Sequence, residues 1–343
     1  MTPLQKHLSF YNKEEEISFN DAQHRYYDEQ NKDVVYTSVT QFLGEFEHKF
    51  DNEFWGMYTA LKDKGLKVKP QPDTKTIIIN GKSAKLSSLL KDSLYKCWYE
   101  ETLAKWRGIN EEACIRGTNT HNYLEDTINQ SKGMVSGYAD NHLIKPKAGS
   151  LKNLETVSDL DNTDLQERFP YIYDRLKGYI ERDCIIFAEK RVRLDLVRLA
   201  GMIDVPIIKR NNKKFIIVDW KTNKDELKAK PGYYKKILVG GKWIKSDIFV
   251  ETNDVFKEPI NHLPFAKLYI YALQLSLYAY IMECWGYELV DKGLEIIHIR
   301  NGYEPRLIKI PYLLHEVELL IKYRLEQLGM PFFDVTQYQN NSR

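Results

Sequence analysis

The pattern of apolar and polar positions changes character about halfway along the chain. Early on, "HRYYDEQNKDVVYTSVTQFL" (24–43) sets aromatic and β-branched residues on either side of a polar turn. That predicts a β-hairpin feeding a helix, with Ser38 or Thr40 as its cap. Residues 52–66 and 87–106 carry aromatics at helical spacing, and 68–85 between them reads as a proline-broken piece with a short strand and an Asn-Gly turn. A helix is expected over 111–130, a loop over 132–150, and a helix broken near its proline over 165–183. From there the apolar residues run together. Three consecutive strands are expected over 184–196, 198–208 and 214–222. A polar, basic insertion covers 225–260, and 265–286 is apolar nearly all round, which predicts a long buried helix. A hairpin over 294–312 and a helix over 315–328 close the chain. Strands, a packed helix and further strands make an α/β fold, a mixed sheet flanked by helices. Residues 1–110 read as a mostly helical region with a β-hairpin, and 111–343 as the sheet-bearing core with its insertion.

Composition narrows the classes. The chain has 343 residues, 43% of them hydrophobic, enough for one large domain or two ordinary ones. Its net charge is +2, so affinity for a polyanion has to come from local clusters. A mean hydropathy of -0.50 and the lack of a span-length apolar run predict a protein outside the membrane. The polar, acidic start, "MTPLQKHLSFYNKEEE", is unlike a signal peptide. Cys97, Cys114, Cys184 and Cys284 lie far apart with no CxxC pair. That spacing predicts reduced thiols and no zinc or iron–sulfur cluster. A cytoplasmic protein is the expectation.

The chemistry concentrates in "GMIDVPIIKRNNKKFIIVDWKTNK" (201–224), where two apolar strands each carry one aspartate, Asp204 and Asp219. A carboxylate inside a sheet is costly unless it is paired or bound to a metal. Two on neighbouring strands repel each other unless a cation lies between them, and Mg²⁺ suits oxygen ligands. Lys221 is two residues past Asp219, on the same face of a strand. There its ammonium can orient, or help deprotonate, a water that attacks a phosphodiester in a metal-assisted reaction.

An Asp, a short hairpin and then Asp-x-Lys resembles the PD-(D/E)XK nuclease superfamily. Asp204 takes the first acidic place and "DWK" (219–221) the second. Three further motifs bring the likeness to the RecB-like exonucleases, including their stand-alone mitochondrial and phage members. "RGTNTHNYLE" resembles their Arg-Gly…His…Glu helix through Arg116, His121 and Glu125. Glu189 stands upstream of the Gly-x-x-Asp of "GMID". Gln274 and Tyr278 match a Gln-x-x-x-Tyr helix. The "HRYY…YTSVTQFL" opening is similar as well. The resemblance spans roughly 111–312 and implies a restriction-endonuclease-like core. It also implies a Mg²⁺ or Mn²⁺ held by His121, Asp204, Asp219 and the backbone carbonyl of Trp220. Lys221, Asp204, Asp219, Glu189 and Gln274 would then be the catalytic group. Arg116, Glu125, Tyr278, Lys224, Lys235 and Lys236 would bind the substrate. The iron–sulfur cysteines of some relatives, RecB's helicase portion and any GxxxxGK[ST] are missing, which describes a nuclease without a motor.

Basic clusters point to the same partner. Residues 209–245 hold twelve Lys/Arg against three acids, and 62–92 hold eight Lys against three Asp. Tyr233, Tyr234 and Trp243 interleave the first, and Trp55 and Tyr58 precede the second. Cations for phosphate and rings for bases hold single strands. The expected partner is DNA, as single strands or duplex ends, together with proteins of a replication or recombination system. The expected setting is a bacterial or phage-infected cell. Three readings stand: an exonuclease, a structure-selective endonuclease of the same superfamily, and a non-catalytic nucleic-acid-binding protein.

Overall fold

The computed structural model describes residues 1–343 except 13, 16, 21, 22, 24, 32, 130–152, 241, 331 and 333–343. The loop expected over 132–150 and His24 lie outside the described residues. The chain begins with a helix that the hydrophobic pattern does not announce, α1 (Pro3–Tyr11). The Thr2 hydroxyl accepts from Gln5 N–H at 3.2 Å and the Gln5 side chain accepts from Thr2 N–H at 2.8 Å. This capping box, with proline in the first turn, starts the helix. Strands β1 (Ser18–Asn20), β2 (Arg25–Tyr27) and β3 (Val35–Ser38) follow as an antiparallel meander. Ser38 then caps α2 (Val39–Leu43), accepting from Gln41 N–H at 3.0 Å.

Helix α3 (Asn52–Asp63) leads to β4 (Val68–Gln71), β5 (Thr76–Ile79), β6 (Lys82–Lys85) and a short α4 (Leu86–Leu89). The segment read as holding a short strand is thus a three-stranded sheet. Asn80 and Gly81 both take positive φ at its second turn. The helices expected over 87–106 and 111–130 are one, α5 (Ser93–Asn129), 37 residues long. The joining "RGIN" has no proline, and a single interior glycine costs only about 1 kcal/mol. Helices α6 (Val157–Asp161), α7 (Leu165–Arg168) and α8 (Pro170–Ile180) come next, with Pro170 starting α8 where the break was expected.

The three strands expected over 184–222 are five: β7 (Cys184–Ile186), β8 (Lys190–Leu194), β9 (Leu199–Ile203), β10 (Val205–Lys209) and β11 (Lys214–Lys221). The first expected strand is cut before Glu189, whose φ of 52° turns the backbone out of the extended region. The second is cut at Asp204. The insertion then forms a hairpin of β12 (Gly232–Val239) and β13 (Lys242–Glu251). The buried helix α9 (Lys267–Cys284), strands β14 (Glu288–His298) and β15 (Arg306–Lys309), and helix α10 (Leu314–Gln327) complete the chain.

The cuts distribute the strands between two sheets. One runs β1-β2-β3-β9-β8, with β3 and β9 parallel. The other runs β15-β14-β11-β10-β7. In it β7, β10 and β11 are antiparallel, and α9 carries the chain across to β14, parallel to β11. The architecture is mixed α/β.

The chain forms two compact units that do not follow the expected division at residue 110. One unit comprises 1–47, 118–231 and 254–343, and the other 48–117 and 232–253. Residues 1–47 join the first because β3 pairs with β9, and the β12–β13 hairpin joins the second. The second unit has its own core of Phe54, Met57 and Leu61 from α3 with Ile77, Leu86 and Leu89.

In the first unit, alternation along β11 decides what each residue meets. Phe215 and Ile217 share a core with α9, while Val218 and Trp220 pack with Leu124, Ile128, Ile172 and Leu176 from α5 and α8. Asp219 and Lys221 continue the Phe215–Ile217 face, toward α9. On β9, Gly201 touches that same helix. A Cβ there would stand 2.4 Å from a ring carbon of Tyr278, whose side chain is buried. Gly201→Ala must therefore push a wedged ring aside, at a cost of about 1–3 kcal/mol. Urea unfolding is expected to show this loss with an unchanged m-value, and an unaltered midpoint would mean that Tyr278 has room to move.

Candidate active site

The two chain breaks face each other. Glu189 N–H donates to the Asp204 carbonyl oxygen at 2.9 Å, bringing both carboxylates to one spot. Asp204 directly precedes β10, whose first residue, Val205, pairs with Val218, so Asp219 comes next to Asp204 across the ladder. The Asp204 carboxylate accepts from Trp220 N–H at 3.1 Å. His121 arrives from α5 with Nδ1 3.4 Å from Asp204 Oδ2. One ligand atom each from His121, Glu189 and Asp204 lie within 4.8 Å of one another, and all three residues are half-buried.

This donor set fits Mg²⁺ or Mn²⁺. Two carboxylates and an imidazole leave positions for water, as such ions prefer. The resemblance places Glu189 among the catalytic residues rather than the ligands, and in the structure one of its carboxylate oxygens lies within 4.8 Å of the His121 and Asp204 ligand atoms. A carboxylate inside the otherwise strand-like "CIIFAEKRV" was the available signal.

Asp219, which the resemblance counts among the ligands, lies beside Asp204 but outside that group of three. Its buried carboxylate lies 2.5 Å from Lys221 Nζ. Burial raises the Asp219 pKa, Asp204 pushes it the same way, and Lys221 opposes both. Burial alone would lower Lys221, but the two carboxylates outweigh it and hold the ammonium above its ordinary value. Lys221 is therefore a charged donor aimed by Asp219. The Trp220 carbonyl can be oriented from its neighbour. Lys221 C=O accepts from Ile299 N–H at 2.8 Å on the β14 side, so the Trp220 C=O points to the opposite edge, toward Asp204.

The Gln274–Tyr278 pair stands on α9. Gln274 Nε2 donates to the Tyr278 hydroxyl at 3.2 Å, so the amide's partner is a neighbouring phenol. Tyr278 is buried against Gly201, and burial first, then Tyr26, Asp204 and Asp219, raise its pKa. Tyr278 is thus a core residue within electrostatic reach of both aspartates, and only Gln274 of the pair is half-exposed. Glu125 is buried one helical turn from His121. Lys224 is exposed just past β11. Arg116, Lys235 and Lys236 belong to the second unit.

That second unit holds 17 Lys/Arg against 11 Asp/Glu, a net +6 in a chain of +2. On its hairpin Lys235 and Lys236 are exposed, and Tyr233 is 59% exposed. Other expected stacking rings are already engaged. Lys62 Nζ lies 4.0 Å from the Trp243 ring centre and Lys245 Nζ 4.1 Å from that of Tyr234. Trp55 and Tyr58 pack on the unit's own core.

Sequence reasoning missed Tyr271, Asn223 and His298. The Tyr271 ring lies under Lys221, centre to Nζ 4.7 Å, and its hydroxyl donates to Asn223 Oδ1 at 2.9 Å. His298 Nε2 donates to the Asn223 carbonyl at 2.8 Å, and burial lowers its pKa. An aromatic residue on an apolar helix has the appearance of core, so no signal in the sequence marks Tyr271.

No family model, curated protein or solved structure matches the chain.

The ligand cluster makes a direct prediction for calorimetry with Mn²⁺. His121→Ala, Glu189→Gln and Asp204→Asn should each weaken binding at least about tenfold, while Lys221→Ala, which removes no lone pair, should change it little. Three variants with wild-type affinity would exclude this cluster as a cation site.

Proposed function

We propose that the chain is a Mg²⁺- or Mn²⁺-dependent deoxyribonuclease with a PD-(D/E)XK core, acting as an exonuclease on single strands or DNA ends. The observation that carries the reading is the meeting of His121, Glu189 and Asp204 within 4.8 Å beside the Asp219–Lys221 pair. A bound divalent ion supplies an acidified water and offsets charge on the phosphate. The chain's own groups do the rest. His121, Glu189 and Asp204 hold the ion, and Trp220 N–H keeps Asp204 oriented. Asp219 aims the Lys221 ammonium, which positions the attacking water and balances negative charge growing on the phosphoryl oxygens. The water oxygen bonds to phosphorus as its proton passes to solvent, the phosphorus–oxygen bond to the sugar breaks, and the departing sugar oxygen takes up a proton from a solvent water.

DNA as the substrate is supported by the second unit's positive charge and by its exposed lysines and Tyr233. A structure-selective endonuclease would use the same residues. Linear and circular single-stranded DNA in Mg²⁺ separate the two. Degradation of the linear form alone is expected, and cutting of the circle would make the protein an endonuclease. No cleavage of either, with binding intact, would leave the non-catalytic reading.

Two further outcomes are expected. Lys221→Ala should bind DNA in Ca²⁺ as the wild type does yet cleave at least about a hundredfold more slowly, because its role is confined to the transition state. Single-turnover cleavage checks this, and a near-normal rate would remove Lys221 from the chemistry. Charge reversal at Lys235 and Lys236 should weaken DNA binding and flatten its dependence on salt. An unchanged slope of log affinity against log salt would take the hairpin out of the DNA contact.

A further inference from the structure

Lys221 sits in a closed ring of contacts that no motif contains. It pairs in register with His298 across the parallel β11–β14 ladder. His298 donates to the Asn223 carbonyl at 2.8 Å, and the Asn223 side chain accepts from the Tyr271 hydroxyl at 2.9 Å. The ring of Tyr271 returns to Lys221, 4.7 Å from its Nζ. Two strands, the segment that follows β11, and helix α9 are thereby tied around one ammonium.

A lysine needs such help. Its stem has four carbons, its ammonium has three rotatable donors, and its side-chain entropy is high. Asp219 occupies one side of the ammonium. A carboxylate alone leaves the stem free to swing about that contact. An aromatic face attracts the cation from a second direction. With both in place, the remaining donors have a fixed aim. Tyr271 is itself fixed, because its hydroxyl is held by Asn223 and Asn223 by His298. His298 is buried and its pKa is lowered by that burial, so it serves as a neutral donor at neutral pH.

We propose that Tyr271 is a positioning residue for Lys221: its ring fixes the ammonium's direction, and its hydroxyl, through Asn223, fixes the segment after β11 from which Lys224 projects. The proposal rests on the nuclease reading for its effect on turnover but not for its geometry. Tyr271→Phe keeps the ring and loses the hydroxyl, whereas Tyr271→Leu loses both. In Mg²⁺, Tyr271→Leu should lower kcat about tenfold, since small misplacements of a catalytic group are costly. KM and Mn²⁺ affinity should stay within about twofold. Tyr271→Phe should lose less kcat than Tyr271→Leu.

The decisive step is to repeat Tyr271→Leu in the Lys221→Ala background. A residue that acts through Lys221 has nothing further to lose there, so the residual rate should not fall again. An equal fall in both backgrounds would overturn the proposal, making Tyr271 a general support of the fold. So would a normal kcat for Tyr271→Leu in a wild-type enzyme that cleaves. A second readout is independent of activity. In protein labelled with ¹³C-lysine, the Lys221 ε-methylene resonance should carry a ring-current displacement that Tyr271→Phe keeps and Tyr271→Leu removes. Absence of that displacement in the wild type would overturn the geometry. Its presence in a protein that cleaves no DNA would overturn the nuclease reading instead and leave Tyr271 as the residue that positions Lys221.

Discussion

The Glu189 N–H donates to the Asp204 carbonyl at 2.9 Å, and that one backbone bond joins the two points where the chain crosses between its sheets. Everything at the candidate site depends on it. Before Glu189 the chain belongs to the sheet of β7, β10 and β11, and after it to the sheet of β8, β9 and β3. At Asp204 the chain returns. A residue within a regular ladder has its carboxylate committed to one face. At a crossing point the ladder is open and an acidic side chain can turn toward a common centre. The positive φ of Glu189 is the strain this arrangement carries, of order 1 kcal/mol or more for a residue other than glycine.

The electrostatics follow from that crossing. Glu189, Asp204 and Asp219 are carried by three neighbouring stretches of backbone, and like charges so placed cost energy unless cations answer them. One such cation is the Lys221 ammonium, at 2.5 Å from Asp219. Glu189, Asp204 and His121 meet beside that pair, one ligand atom of each within 4.8 Å of the others. In the proposed function Asp219 and Lys221 act together as an aimed donor, and His121, Glu189 and Asp204 as the ligands of one ion. The tight seat of Tyr278 over Gly201 belongs to the same design. Glycine three residues before Asp204 lets Tyr278 of α9 seat on β9, and Tyr271 of the same helix lies over Lys221.

Much of this was legible because the signals were local. The two-residue spacing of Asp219 and Lys221 settles that they share a face. Ser38 ahead of an apolar run is a cap, and Asn80-Gly81 is a tight turn. What the sequence hid was long-range or unsigned. A glutamate gives no warning that it will adopt a left-handed φ, so the crossing at Glu189 looked like the middle of a strand. The pairing of β3 with β9, which draws residues 1–47 into the larger unit, joins segments that are remote in sequence. The Thr2–Gln5 capping box was readable in "TPLQ", but the helix it opens is only nine residues long, with Leu4 and Leu8 as its buried apolar positions. Tyr271 was invisible because its face of α9 has the composition of ordinary core.

In the proposed site His121, on a helix, and the two crossing-point carboxylates share one cation. Pulsed electron paramagnetic resonance of Mn²⁺ added to the protein addresses it without reference to turnover. A nitrogen coupling from a single imidazole is expected, abolished by His121→Asn and retained in Lys221→Ala. A bound Mn²⁺ with no imidazole coupling in the wild type, or one that persists in His121→Asn, would contradict it.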